Sequence, residues 1–256
     1  MIQSIFPISA FNDNYIWVWV DDVKKQAIVV DPGDAAPVLN FLQEKGLTLQ
    51  ALLITHKHHD HTGGISALLS EFPEALVFSH PTENIAQTTH IVMNGDVIKI
   101  NDHEFRVIHI PGHTLGHVAY YCNPMLFCGD TLFTNGCGRL FEGTAEQMLT
   151  SLKKLMVLPD DTQVYCGHEY TLSNIKFALQ VEPNNQLLKK RFEDAKQLRF
   201  HNKPTVPSLL KLEKDTNPFL RCHTQAVINS ASEQLGKPCE TEVDVFYALR
   251  EWKNYF

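Results

Sequence analysis

Ala51-Leu52-Leu53-Ile54-Thr55-His56-Lys57-His58-His59-Asp60-His61 runs an apolar segment straight into a loop crowded with imidazole and carboxylate groups, followed by Gly63-Gly64 and a helix-like stretch. An apolar run of four residues stopped by polar residues predicts a buried strand. A tight loop at its end can aim alternate side chains at one centre, so His56, His58, Asp60 and His61 are candidate metal ligands. Imidazole and carboxylate donors suit zinc, manganese or iron better than calcium or Cu(I). With 13 histidines in the chain, a string of this form arises by chance in roughly two chains per thousand, which sets aside a solvated His-rich loop.

Outward from this stretch the same arrangement repeats. Ile110-Pro111-Gly112-His113, Phe127-Cys128-Gly129-Asp130 and Tyr165-Cys166-Gly167-His168 each carry an apolar strand into a glycine and then a candidate ligand. A lone histidine after a strand is more often a structural hydrogen-bonding group, but three repeats of one pattern make a joint case. His59 and His117, beside ligands, read as structural, and Asp31 in Asp31-Pro32-Gly33 reads equally as a turn residue or as support for the ligand loop. Cys137 and Cys166 lie near the candidate ligands, yet neither has a base placed by sequence to activate it.

Strands are predicted over 2–6, 15–20, 26–30, 51–54, 97–100, 105–110, 118–122, 126–128 and 163–166. Between them fall helices over 35–45, capped by Asp34 and stopped by Gly46, over 65–72, and over 145–156, opened by the capping box Thr144-Ala145-Glu146-Gln147. Hairpins mixed with helices predict an α/β sandwich. After Gly167 the strand pattern stops, and helices are predicted over 172–181, 186–201 and 242–253 with a Pro-rich connector over 203–218. The chain therefore divides into 1–170, carrying the candidate ligands, and a smaller helical domain over 171–256.

Composition narrows the function classes. At 256 residues and 44% hydrophobic content the chain can bury a large core without disulfides. Its six cysteines form no CxxC pair or dense framework and read as reduced thiols. Without a basic N-terminal leader or an early apolar run of membrane-spanning length, a cytoplasmic protein is expected. The net charge of -7 disfavours nucleic acid as a partner. Residues 1–170 hold 9 Lys+Arg against 19 Asp+Glu (net -10), whereas 171–256 hold 13 against 10 (net +3).

The stretches Thr55–His61, Pro111–Thr114, Gly129–Phe133, Gly136–Thr144 and Cys166–Thr171 resemble the metallo-β-lactamase superfamily and, within it, the glyoxalase II (hydroxyacylglutathione hydrolase) family. The resemblance spans nearly the whole chain. It implies a four-layered αββα sandwich followed by a helical substrate domain. It also implies that His56, His58 and His113 hold one divalent ion, that Asp60, His61 and His168 hold a second, and that Asp130 bridges them. Zinc is the first expectation, with iron or manganese as alternatives, and Asp60 and Asp130 are the candidate catalytic residues. The implied substrate is a glutathione thioester, S-D-lactoylglutathione, and the expected state is a monomer with neither nucleic acid nor membrane as a partner.

Arg139, Tyr170, Arg250 and Lys253 match the family's glutathione-contacting positions, and Phe141 stands where relatives present a tyrosine hydroxyl. Arg250 and Lys253, three apart, share one helical face, with Val245 and Leu249 packing the other. Four other readings stay open on sequence alone. They are a mononuclear iron persulfide dioxygenase, a phosphodiesterase or nuclease, an exported β-lactamase, and a binding protein that has lost activity. The complete ligand set, the acidic front and Asp130, at a position where β-lactamases carry cysteine, weigh against them.

Overall fold

The computed structural model describes residues 4–256. The first strands are β1 (Ser4–Ala10), β2 (Asn14–Asp21) and β3 (Gln26–Val30). Ile2 and Gln3, part of the first predicted strand, lie outside the described residues. The next helix, α1 (Ala35–Lys45), matches its predicted bounds: the Asp34 side chain accepts from Ala36 N, and Gly46 takes the left-handed φ of 61° that ends it. There follow β4 (Thr48–Leu53), the single turn α2 (His59–Thr62), α3 (Ile65–Glu71), β5 (Leu76–Ser79) and β6 (His90–Ile91). These six strands form one sheet in the order β1-β2-β3-β4-β5-β6, antiparallel through β3 and parallel from β3 onward.

A second sheet is built from β7 (Val97–Ile100), β8 (His103–His109), β9 (Val118–Cys122) and β10 (Met125–Gly129). After the small hairpin β11 (Leu132–Phe133) and β12 (Gly136–Cys137) comes α4 (Ala145–Met156), then β13 (Gln163–Cys166). Both halves of the Thr144–Gln147 capping box are formed. The C-terminal segment contributes α5 (Thr171–Val181), α6 (Gln186–Phe200), β14 (Ser208–Leu209), α7 (Leu210–Thr216), α8 (Gln225–Leu235) and α9 (Glu242–Asn254). The second sheet reads β14-β13-β10-β9-β8-β7.

Alternation along the strands builds the layers. In β2, Ile16, Val18 and Val20 pack outward with Val38 and Leu42 of α1 and Leu68 of α3, while Trp17 and Trp19 point inward to meet Phe105, Phe127 and Tyr165 of the second sheet. The inner cluster continues through Leu126 and Val164 to Met148, Leu152 and Leu155 of α4, completing the αββα order. The same cluster takes in Phe177, Phe219, Phe246 and Leu249, so the C-terminal helices share a core with the second sheet. Each such side chain, fully buried, contributes roughly 1.5–3 kcal/mol.

The structure corrects the sequence reading in the tail. Strand pairing does not end at Gly167, because β14 within the Pro-rich connector pairs antiparallel with β13 (Gln163 with Leu209, Val164 with Ser208). The sequence reading also passed over β5, α7 and α8. Among the described residues no helix is long and apolar enough to cross a membrane, and all six cysteines are free.

Candidate metal centre

The loops after the C-terminal ends of β4, β8, β10 and β13 meet at one edge of the sandwich, the usual position for a site in a sheet of this kind. Backbone bonds tie the two sheets together there: Val118 N donates to Thr55 O at 3.0 Å and Tyr15 N to Gly167 O at 2.8 Å. Glycines precede the ligands for physical reasons. Gly129 has φ +47°, and a Cβ on it would lie 2.3 Å from Thr55 Oγ1. A Cβ on Gly167 would lie 2.6 Å from Asp130 Oδ1.

Two groups of ligand atoms result. His56 Nε2 and His113 Nε2 each lie 3.0 Å from His58 Nδ1. The second group is Asp60, His61 and His168, with Asp60 Oδ2 at 3.5 Å from both His61 Nε2 and His168 Nε2. Asp130 stands between them: Oδ1 is 3.4 Å from His61 Nε2, and Oδ2 is 3.2 Å from His168 Nε2 and 3.6 Å from His113 Nε2. All seven predicted ligands therefore converge.

The chemistry of these groups fits divalent cations. His61 Nε2 and Asp130 Oδ1 are buried and have no hydrogen-bond partner, a cost a metal ligand does not carry. Electrostatics agree with the geometry. Burial opposes ionisation of Asp130, but the imidazoles of His61 and His168 outweigh it and hold the carboxyl well below its usual range. Burial, with His61 and His117 alongside, drives His56 well below the usual imidazole value, which keeps it neutral as a ligand must be.

Orienting partners come from far along the chain. His168 Nδ1 donates to Asp13 Oδ1 at 2.8 Å, His113 Nδ1 to Arg139 O at 2.9 Å, and Asn14 Nδ2 to Asp60 Oδ2 at 2.9 Å. Asp31 is buried and accepts from Thr55 N (2.7 Å), Thr55 Oγ1 (2.6 Å) and His61 Nδ1 (3.1 Å). It supports the ligand loop directly, the more specific of its two sequence readings. His117 is buried, stacks on His56 at 4.7 Å and accepts from Asp130 N through Nε2 at 3.2 Å. Sequence reasoning passed over Asp13, Asn14 and Thr55, and no local spacing signals them.

Five of the candidate ligands, His58, Asp60, His113, Asp130 and His168, line a cleft of about 770 Å³, which Arg139, Phe141, Tyr170, Arg250 and Lys253 also line. Tyr170 stacks on His168, with ring centroids 4.6 Å apart, and the exposed Phe141 ring lies 5.5 Å from His58. Contrary to the predicted division into two faces, Arg250 is not set apart from the packed face of its helix. It is only 3% exposed, among the same buried residues as Val245 and Leu249, and Nη1 donates to Cys137 O at 2.8 Å. Burial, with Arg250 and Arg139 nearby, lowers Lys253 to about 8. Burial raises the thiols of Cys137 and of Cys166 (to about 12), which leaves neither a nucleophile.

Residues 11–168 match the model of the metallo-beta-lactamase superfamily, and residues 169–256 match that of the hydroxyacylglutathione hydrolase C-terminus. The chain is 51% identical over 253 residues to a hydroxyacylglutathione hydrolase of Aliivibrio fischeri (strain MJ11), covering 99% of each chain. It is 50% identical to that of Nitrosomonas eutropha (strain DSM 101675 / C91 / Nm57), covering 98% of each. Among solved structures it resembles ETHE1 from Myxococcus xanthus (TM-score 0.67, 25% identity, 99% of this chain and 100% of that one). It also resembles TTHA1623 in a di-iron-bound form (TM-score 0.61, 25% identity, 84% of this chain and 100% of that one).

Proposed function

Because this chain belongs to the hydroxyacylglutathione hydrolase family of the metallo-β-lactamase superfamily, we propose that it hydrolyses glutathione thioesters, S-D-lactoylglutathione first among them, to the hydroxy acid and glutathione. The observation that carries this reading is the pair of ligand groups joined at Asp130 on the floor of a cleft lined by Arg139 and Lys253. His56, His58 and His113 would hold one ion, and Asp60, His61 and His168 the other, with Asp130 between. The likeness to a di-iron-bound structure supports two ions, and the donor set suits zinc first, with iron or manganese as alternatives. The Asp60, His61 and His168 group separates this reading from a mononuclear iron oxygenase, for which it would be surplus.

When bound, such ions supply a water acidic enough to be nucleophilic near neutral pH and an electrophile for the carbonyl oxygen. The chain's own residues do the rest. Asp13, Asp31 and the Arg139 carbonyl fix the imidazole tautomers, and the Asp60 and Asp130 carboxylates fix the centre of the site. Arg139, Lys253 and Tyr170 face the cleft where the two glutathione carboxylates and the peptide backbone would lie, with Arg250 bracing the wall beneath them. Water oxygen bonds to the acyl carbon, the C–S bonding pair leaves on sulfur, and the two protons of the water pass to solvent, from which the thiolate takes one back. A thiol of pKa about 8.5 is a good enough leaving group that no dedicated general acid is needed. We divide the chain at 170/171, with 1–170 as the catalytic domain and 171–256 as the substrate domain, and assign a monomeric, cytoplasmic enzyme.

The test is to incubate the metal-replete chain with S-D-lactoylglutathione and follow loss of the thioester absorbance. Turnover that depends on the metal supports the reading. A folded, metal-replete chain that leaves the thioester intact overturns it.

A further inference from the structure

The two halves of the centre are held in different ways. On the second-ion side, each ligand is gripped at its side chain: Asp31 holds His61, Asp13 holds His168 and Asn14 holds Asp60. On the other side, His56 Nδ1 meets Thr55 Oγ1 at 3.0 Å, and His113 is held by the Arg139 carbonyl. His58 is the exception. Its Nδ1 faces the other ligands, and among the described residues its Nε2 makes no hydrogen bond. The rings of His56, His113 and Phe141 pack against it, but no hydrogen bond from outside the ligand set orients it, so the course of its backbone matters most.

His58 O itself accepts from His61 N and Thr62 Oγ1, both at 3.0 Å, and the preceding residue is held by two carboxylates, one on its N–H and one on its Nζ. Lys57 lies between His56 and His58, and its N–H donates to Glu83 Oε2 at 2.6 Å. Glu83 is 2% exposed, and its Oε1 is buried without a hydrogen-bond partner against Gly116, where an added Cβ would come within 2.4 Å. Burying a carboxylate with so few partners is costly, so a function in holding the loop accounts for its presence. From the cleft rim, Glu142 pairs through Oε1 with Lys57 Nζ at 2.6 Å and accepts from Leu115 N through Oε2 at 2.9 Å. Glu142 thus bonds Lys57 to the loop that carries His113, and Glu83 packs against the same loop at Gly116.

We propose that Glu83 and Glu142 are positioning residues which, acting through Lys57, set the place of His58 and so the firmness with which the His56, His58 and His113 half holds its ion. The inference rests on the two-metal reading above. Neither residue touches substrate or the reacting atoms. Both contacts are made at Lys57, between two ligands of the first half, and the asymmetry this creates is the testable feature. Outer partners of metal ligands commonly change metal affinity by about 10- to 100-fold when removed. The buried Glu83 is expected to lie within that range. Glu142, bound at a half-exposed rim, is expected to fall below it, at about three-fold.

The experiment dialyses the two-ion protein against rising concentrations of pyridine-2,6-dicarboxylate and counts the ions retained by elemental analysis. Circular dichroism runs alongside to verify the fold. In Glu83→Ala one of the two ions should leave at about ten-fold lower chelator than in the parent, with release of the other unmoved. Glu83→Gln, which keeps an acceptor for the Lys57 N–H, should lie closer to the parent. Glu142→Ala should shift the same ion in the same direction by less, and it carries the test alone if Glu83→Ala does not fold. Equal loosening of both ions means general destabilisation and overturns the proposal, as does unchanged release in both variants. A parent that never holds two ions overturns the two-metal reading and the proposal with it.

Discussion

The strand-end loops and helix α9 supply charged groups to one cleft, yet they are built on opposite plans. The loops carry ligands whose identities repeat at short spacing, and most are gripped by a second side chain or carbonyl, as Asp13 grips His168 at 2.8 Å. Helix α9 holds its two cations unequally: Arg250 Nη1 donates to the carbonyls of Cys137 and Gly138 while Nε, also buried, goes unpartnered, and Lys253 is a half-buried ammonium over the Phe177 ring. The difference separates two tasks. Ligands must be fixed before the reaction, because a misplaced donor loses the ion. A cation that meets a distant carboxylate, the part proposed for Lys253, need only be available, and burial raises the strength of the contact.

The sharpest way to break this comparison is to remove ligands. His56→Ala, Asp60→Ala and His168→Ala are each expected to lower turnover by roughly a hundred-fold or more, exceeding what loss of an outer partner does. Kinetics beside circular dichroism will separate lost chemistry from lost fold. In metal-reconstituted protein, elemental analysis should approach two ions per chain and fall in Asp130→Ala. A saturated stoichiometry of one, unmoved by Asp130→Ala, would sink the binuclear arrangement.

How much of this was legible in the sequence follows from the range of the forces involved. Helix α1 carries its own stop signals in Asp34 and Gly46, and α4 carries its capping box, so both matched their predicted bounds. The seven candidate ligands could be singled out because His56, His58, Asp60 and His61 crowd one loop after a strand, while His113, Asp130 and His168 each follow a strand end and a glycine. Strand β14 was not, since two residues in a Pro-rich connector pair only once β13 is in place. Helix α8 was passed over because its Ser and Asn residues are weak helix formers and only Val227 and Ala231 are buried. Asp13 lies 155 residues from the histidine it holds, and Arg250 113 residues from Cys137. Distances of that kind leave no periodic trace.

Smaller changes sharpen the same contrast. Asp13→Ala and Asp31→Ala are expected to weaken metal retention by about 10- to 100-fold, because each orients a ligand ring without coordinating through it. Chelator titration will check this, and unchanged retention would show that packing alone places the rings. Arg250→Met should act as a structural lesion first. Removing the guanidinium leaves the buried Cys137 carbonyl unpaired, a cost of about 1–3 kcal/mol. For a chain of this size that lowers the melting temperature by several degrees, at about 2–4 °C per kcal/mol. A loss of substrate affinity with no change in melting temperature would instead make Arg250 a plain contact residue.

Lys253 should give the smallest effect and the most specific one. Burial, then the nearby Arg250 and Arg139, lower its ammonium to about 8, whereas Cys137 acts the other way. A bound carboxylate prefers the protonated form, so KM for the glutathione thioester should rise as pH climbs through about 8, with kcat little changed because the contact is equal in ground and transition states. Stability of the free protein should move oppositely. In the unfolded chain lysine titrates near 10.4, so between about 8 and that value the unfolded state binds more protons than the folded one, and stability rises with pH across the window. The same burial therefore costs stability below about 8 and strengthens substrate binding there. Lys253→Met should remove both dependences, raising KM near neutrality by about ten-fold or less. The comparison to make is KM, kcat and unfolding free energy for parent and variant from pH 6.5 to 9.5, with an uncharged thioester as control. If the uncharged thioester shows the same rise in KM, or if Lys253→Met keeps the parent's pH dependence, the ammonium is not the group that meets the carboxylate.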